Sequence, residues 1–214
     1  MSKASATWLW VATVLAVGLG LASYRYLVLG LAGAPTNVAA NRFATTPFLI
    51  VHVVASATAL ILGALQLHPR LRARWPAWHR RAGALYVIAV VAGGAAGLVL
   101  AAGTSAGPIA AAGFALLALL WVPITVHAWR LARARDFARH RPWMIRSYAL
   151  TFAAVTLRLY LAIAAVAHLD FMTGYRAISF LCWVPNLVVA EFAIRASRPL
   201  RTSPPLAAPW RSRG

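Results

Sequence analysis

The chain has 214 residues, of which 62% are hydrophobic, and it carries 21 basic residues against three acidic ones. Only 11% of its residues are charged, whereas a soluble domain normally has about a quarter. Apolar runs of roughly 20 residues recur along the chain, as is typical of transmembrane helices. The composition excludes an ordinary soluble domain and predicts an all-α, polytopic membrane protein.

The formal net charge of +18 raises the question of a nucleic-acid partner. The basic residues, however, lie in short loops between apolar runs and do not form one polar face, which favours a role in orienting the protein in a membrane. We therefore expect no nucleic-acid partner and expect anionic lipids at the basic membrane surface. A single cysteine, Cys182, lies inside the last apolar run, which excludes a disulfide framework and is typical of a small buried residue.

Six membrane spans can be drawn in chain order, and we expect the first to be a retained helix. Two similar hairpins, in which an arginine-spaced loop leads to His79-Arg80 and to His140-Arg141, suggest that a two-helix unit is duplicated. This predicts a four-helix core of spans two to five, flanked by spans one and six. Residues 1–198 would form the transmembrane domain, and the basic tail 199–214, rich in Pro, Ser and Arg, is expected to be disordered. The predicted spans are about 7–29, 47–67, 82–102, 109–131, 143–167 and 176–194.

The basic loops fall on one side of the membrane if the chain crosses six times. The opposite side keeps only Arg25, Arg42 and Arg176. The positive-inside rule then predicts a bacterial inner-membrane protein with both termini in the cytoplasm. The bases assigned to the cytoplasmic side are Lys3, Arg70, Arg72, Arg74, Arg80, Arg81, Arg130, Arg133, Arg135, Arg139, Arg141, Arg146, Arg195, Arg198, Arg201, Arg211 and Arg213.

Several sequence elements form a recognisable set between residues 48 and 192. The elements are His52, Pro69-x6-Pro76-x2-His79-Arg80-x2-Gly83-x2-Tyr86, His140 to Tyr148, Arg158, and Trp183-x2-Asn186-x4-Glu191. The most specific element is His-Arg-x-Trp-Met-x-Arg, which begins at His140. Together they resemble the bacterial membrane family DUF2306, and the resemblance implies a helical membrane fold and no particular reaction.

Arg158 is placed by its sequence position near the middle of the fifth span, where an unpaired charge costs several kcal/mol. Span six brings Asn186 to about the same depth, and a proline in that span frees the Leu181 carbonyl. We therefore expect an intramembrane polar network of Arg158, Asn186 and Glu191, with Thr151 on the same face of span five. The network would either lock spans five and six together or line a cavity that binds a head group or relays protons.

Three histidines and one arginine are candidate cofactor ligands. His79 and His140 begin spans three and five at equal depth, so they could hold a b-type haem, with Arg146 near its propionates. His52 lies near the outer surface, where it could form a second candidate site with His168. We expect a haem or quinone site that uses His52, His79, His140 and Arg146, and no protein-only metal site, since the spans offer few thiolates or carboxylates.

Three functions stay open at this stage. The first is a redox membrane protein that binds b-type haem or quinone among spans two to five. The second is a small transporter or lipid-binding protein that uses a cavity at Arg158, Asn186 and Glu191. The third is a non-catalytic scaffold with a basic cytoplasmic face. With three acidic residues and no GxSxG, P-loop or HExxH motif, hydrolytic schemes are excluded.

Overall fold

The computed structural model describes residues 3–29, 38, 40–45 and 47–197, apart from the side chains of residues 3–6. The tail that the sequence predicts to be disordered, 199–214, lies outside the described residues. Within these ranges the chain is helical and contains no strand. The helices are α1 (Lys3–Ser23), α2 (Arg25–Leu29), α3 (Pro47–Gln66), α4 (Pro69–Arg74), α5 (Pro76–Ala102), α6 (Pro108–Arg133), α7 (Phe137–Thr151), α8 (Ala153–Val166), α9 (Phe171–Leu181) and α10 (Val184–Ala196).

Six segments of the described chain are long and apolar enough to cross a membrane, which confirms the predicted all-α, six-span fold. Spans three, five and six begin about five or six residues earlier than the sequence predicts, at Pro76, Phe137 and Phe171. The first residues of spans three and five are basic, so hydropathy alone does not count them as span. Span three starts with a proline in its first turn, and Asp136 and Asp170 cap α7 and α9. The spans run Thr7–Leu29, Pro47–Gln66, Pro76–Ala102, Pro108–Arg133, Phe137–Val166 and Phe171–Ala196.

Spans two to five form a closed ring of neighbours. Span two packs against span three, and span three packs against span four. Span four packs against the first half of span five, which also contacts span two. Span one lies against span two, and span six lies against spans four and five. This arrangement is consistent with the predicted four-helix core.

Two of the spans are interrupted, whereas the sequence predicts six continuous helices. Span five breaks at Phe152, between α7 and α8, and span six breaks at Cys182 and Trp183, between α9 and α10. Pro185 lies in the first turn of α10, where its missing N–H costs nothing. Cys182 is a free, buried cysteine, 1% exposed, as the sequence predicts.

The ends of the bundle carry different turns. We call the end with residues 67–75 and 134–136 the basic end, and the end with residues 103–107 and 167–170 the opposite end. At the opposite end Arg176 Nε donates to the Ala106 carbonyl at 2.9 Å and Asn41 Nδ2 to the Leu100 carbonyl at 2.8 Å. These bonds hold the turn after span three against its neighbours, beside the site described next.

Candidate functional site

A cavity of about 270 Å³ lies within the bundle, in the half nearer the opposite end. It is lined by the first part of spans two and four, the later part of spans three and five, the end of span one and the first half of span six. Most of its surface is apolar or aromatic, and we call it the bundle cavity. Its lining includes the polar residues Ser23, Asn41, His52, Ser56, Thr151 and Arg158 and the apolar or aromatic residues Leu60, Phe114, Trp121 and Leu150.

His52 is held in the cavity wall by a backbone contact. Its Nδ1 lies 2.8 Å from the Gly93 carbonyl oxygen, which can only accept, so Nδ1 carries the hydrogen. Span three approaches closely because Gly97 has no side chain; a Cβ there would lie 2.9 Å from Nδ1. The neutral ring therefore keeps Nε2 as an acceptor, and Nε2 has no hydrogen-bond partner in the described part of the chain.

Arg158 also lines the cavity, from the second half of span five. Its Nη1 donates to the Ala154 carbonyl at 2.9 Å, and its Nη2 lies 3.5 Å from Ser23 Oγ in span one. Arg158 and His52 both belong to the cavity wall. The prediction that Arg158 contacts Asn186 and Glu191 is wrong, because its guanidinium faces span one and the cavity.

The expected partners of Arg158 in span six are engaged elsewhere. Asn186 Nδ2 lies 3.2 Å from the Ala149 carbonyl, 3.1 Å from Thr156 Oγ1 and 2.9 Å from the Cys182 carbonyl. Thr156 also donates to that carbonyl, at 2.5 Å. The carbonyl that receives these two side-chain donors is that of Cys182, at the break between α9 and α10.

Glu191 pairs with Arg146, nearer the basic end. Arg146 Nε and Nη2 lie 2.5 Å and 3.0 Å from the two carboxylate oxygens. The same guanidinium lies over the Trp143 ring, 4.8 Å from its centroid. Arg146 is therefore engaged in a bidentate ion pair, and its expected role at haem propionates stays a prediction.

The floor of the cavity is closed by a buried cluster of hydroxyl and indole groups, which we call the hydroxyl cluster. Trp121 Nε1 donates to Thr151 Oγ1 at 2.9 Å, and the Tyr86 hydroxyl lies 2.8 Å from Thr151 Oγ1 and 2.7 Å from Ser147 Oγ. Ser147 Oγ lies 2.6 Å from Thr125 Oγ1, which donates to the Trp121 carbonyl at 2.7 Å. The cluster joins spans three, four and five.

The hydroxyl cluster includes Thr151, which the sequence places on the same face of span five as Arg158. Thr151 is 5% exposed and contacts Tyr86 and Trp121, and both Thr151 and Arg158 line the cavity. Sequence reasoning missed the cluster, although the spacing of Trp121 and Thr125 on one helix face was visible. Hydroxyl residues are common in membrane helices, where they bond to their own backbone, so spacing alone does not reveal cross-span partners.

Two further candidate histidines, His79 and His140, lie near the basic end, away from the cavity lining. His140 Nδ1 lies 2.8 Å from the Ala128 carbonyl, and His79 Nδ1 is buried with no hydrogen-bond partner in the described chain. A haem between these two histidines stays a prediction. His168 is exposed at the opposite end and does not line the cavity.

Comparison with known proteins gives one match. The model of a family described as predicted membrane protein, DUF2306, matches residues 49–194. That range contains spans two to six and every residue of the cavity wall discussed above except those of span one and Asn41. No curated protein and no solved structure matches the chain.

Proposed function

The chain belongs to the DUF2306 family of predicted membrane proteins, and from the chemistry of its cavity we propose that it binds the ring of a membrane quinone, in its oxidised or reduced form. The observation that carries the proposal is the placement of His52, Ser56 and Arg158 in the wall of an otherwise apolar and aromatic cavity inside the spans. Sites for small molecules commonly combine an apolar lining with a few polar groups that fix the orientation of the ligand.

The size of the cavity fits a single ring. Its 270 Å³ exceeds the roughly 150 Å³ apolar cavity that holds benzene in an engineered protein. It is near the lower end of the range for ligand pockets, roughly 300–1,000 Å³. A substituted benzoquinone ring fits such a space, with its tail passing between helices into the lipid.

The donor set favours a quinone over a haem in this cavity. A b-type haem in a helical bundle needs two axial ligands that face each other. His52 is the histidine of the described lining, and its Nδ1 is held by Gly93. Quinone oxygens need only hydrogen-bond partners, which Arg158, Ser56 and His52 can supply.

A titration tests the proposal. Decylubiquinone and decylubiquinol, the latter under argon, are added to the purified protein in lipid nanodiscs, and heat release is measured by isothermal titration. We expect saturable binding that is weakened at least ten-fold by His52→Leu and by Arg158→Met, since each removes a partner of a buried polar ligand atom. The matched controls are His168→Leu and Arg42→Met, which change the same residue types at positions outside the cavity lining. Absence of saturable binding in both redox forms would overturn the proposal.

Binding of an anionic lipid is the second candidate, because one observation favours it. Arg158 lines the cavity and donates to uncharged oxygens only, so its positive charge is available to a phosphate group. Dioctanoyl phosphatidate, added as a competitor, separates the two candidates. If it binds more tightly than either form of the decyl quinone and displaces them, the lipid is the ligand.

The orientation of the protein belongs to the same proposal: the basic end faces the cytoplasm of a bacterial inner membrane. Its support is the concentration of arginines at that end and the exposed tryptophans beside them, Trp75 and Trp129, which lie under Arg74 and Arg133 at 5.7 Å and 5.6 Å. These pairs suit a surface of anionic lipid head groups.

Single cysteines in place of Arg72 and Arg135, in a Cys182→Ser background, should both be shielded from an impermeant maleimide in intact cells. Labelling of either would contradict this orientation.

A further inference from the structure

We propose that the bundle cavity selects the hydroxyl-bearing, reduced ring over the oxidised ring, and that the Nε2 atom of His52 makes the selection. This inference rests on the proposed function, because it names the form of the ligand that the same site prefers. It depends on which hydrogen-bond donors and acceptors of the cavity wall are available to a ligand.

The tautomer of His52 is fixed by its surroundings. Nδ1 lies 2.8 Å from the Gly93 carbonyl oxygen, which accepts and cannot donate. Nδ1 must therefore carry the hydrogen, and in the neutral imidazole Nε2 then presents a lone pair. The close approach of Gly97 and Gly93 leaves the ring little room to turn, since a Cβ at Gly97 would lie 2.9 Å from Nδ1 and 3.0 Å from Cε1.

The remaining polar groups of the wall divide into used and unused ones. Asn41 donates to the Leu100 carbonyl and accepts from the Phe43 N–H. Thr151 is held within the hydroxyl cluster. Among the groups left for a ligand are the N–H groups of Arg158, the hydroxyl of Ser56, which lies 3.5 Å from His52 Nδ1, and His52 Nε2.

These groups match a hydroquinone better than a quinone. The oxygens of a quinone only accept, so they can pair with Arg158 and Ser56 but leave Nε2 without a donor. A hydroquinone hydroxyl both donates and accepts, so it can donate to Nε2 while its oxygens accept from Arg158 or Ser56. A polar atom that loses water and gains no partner weakens binding, and the oxidised ring imposes that cost on His52.

Three ring compounds without tails test the inference on the unchanged protein. Duroquinone accepts only, durohydroquinone donates and accepts, and the dimethyl ether of durohydroquinone has the same ring but no hydroxyl to donate. Titrated under argon into the protein in nanodiscs, durohydroquinone should bind roughly ten-fold more tightly than either of the others. Equal or tighter binding of duroquinone, or of the dimethyl ether, overturns the inference.

Two variants test whether His52 Nε2 is the atom that gives the preference for durohydroquinone over duroquinone. His52→Leu should reduce the difference between durohydroquinone and duroquinone to less than about two-fold, while His168→Leu should keep it. Thermal unfolding of each variant in detergent reports whether it folds. A His52→Leu protein that folds and keeps the preference contradicts the role of Nε2. If the decyl quinones and all three tail-less compounds fail to bind to the unchanged protein, the proposed function itself fails; binding without preference removes this inference alone.

Discussion

Arg146 in span five and Glu191 in span six form a bidentate ion pair, with Nε–Oε1 and Nη2–Oε2 distances of 2.5 Å and 3.0 Å. The two side chains are 21% and 37% exposed, so the pair is only partly removed from water. It joins the flanking sixth span to the four-span ring at the level where α7 meets α10. An ion pair of this geometry fixes the relative rotation of the two helices.

Loss of the carboxylate at Glu191 is expected to destabilise the protein. Glu191→Gln leaves the Arg146 guanidinium half-buried without its counter-charge. Removing one partner of a fully buried pair costs about 3–5 kcal/mol, and partial exposure reduces that cost here to about 1–3 kcal/mol. The measurement is the free energy of unfolding in detergent.

Two further variants make this first prediction specific. Asp136→Asn removes an acid that lies 3.8 Å from the exposed Arg139, and it should change the free energy of unfolding much less. The exchange Arg146→Glu with Glu191→Arg should recover part of the loss seen in Glu191→Gln. If Asp136→Asn is as harmful as Glu191→Gln, the ion pair has no special role in holding span six.

The Tyr86 hydroxyl is the centre of the hydroxyl cluster, and its removal is the second test. Tyr86→Phe deletes contacts of 2.7 Å and 2.8 Å to Ser147 and Thr151 in a site where the tyrosine is 1% exposed. The expected loss is about 1–3 kcal/mol of unfolding free energy, because buried hydroxyl groups lose a partner. Tyr148→Phe is the matched control: Tyr148 is also buried, and its hydroxyl makes a longer contact of 3.4 Å to the Leu60 carbonyl. Equal losses in both variants would show that the cluster adds nothing beyond an ordinary tyrosine.

The number and type of the helices were predictable from sequence because apolar runs of membrane length are a strong pattern. The starts of spans three and five were not predictable from hydropathy, since residues 76–81 and 137–142 are helical but basic. The proline at position 76 and the aspartate at position 136 are ordinary helix-start residues. Helix-start chemistry would therefore have located both starts where hydropathy could not.

The candidate site was predictable only in part. The sequence identified His52 and Arg158 as unusual polar residues in spans, and both lie in the wall of the bundle cavity. Their partners were not predictable, because the breaks at Phe152 and Cys182 change the direction in which the following residues point. Depth along the membrane can be counted from residue number, but rotation about each helix axis is set by packing against neighbours. This is why the sequence predicts partners for Arg158 in span six, whereas the structure places Ser23 of span one beside it.

His68 gives a prediction for pH dependence. It lies in the turn between spans two and three, 6% exposed, with Nε2 2.9 Å from Thr13 Oγ1 and its ring 4.4 Å from that of Trp10. Burial disfavours the charged imidazolium and lowers the pKa of His68 below its ordinary 6.5. Well above 6.5 both the folded and the unfolded chain hold this group neutral, so its titration does not make stability depend on pH there.

Below that pH the unfolded chain takes up a proton before the folded chain does, so acidification should lower stability. The measurement is thermal unfolding in detergent at several values between about pH 8 and pH 5.5. His68→Gln should flatten the fall at acid pH, and His168→Gln, at an exposed position, should leave it unchanged. The same pH dependence in His68→Gln as in the unchanged protein would contradict the prediction.

Gly97 determines whether His52 can occupy its place in the cavity wall. A Cβ at this position would lie 2.9 Å from His52 Nδ1 and 3.0 Å from Cε1, closer than van der Waals contact permits. Gly97→Ala should therefore push the imidazole away from the Gly93 carbonyl and weaken hydroquinone binding roughly ten-fold or more. Gly18→Ala is the control, because a Cβ there meets nothing within 4 Å. Alanine favours helix more than glycine does, so neither variant should lose its helices in circular dichroism. Unchanged durohydroquinone affinity in Gly97→Ala would mean that the orientation of His52 does not govern the site.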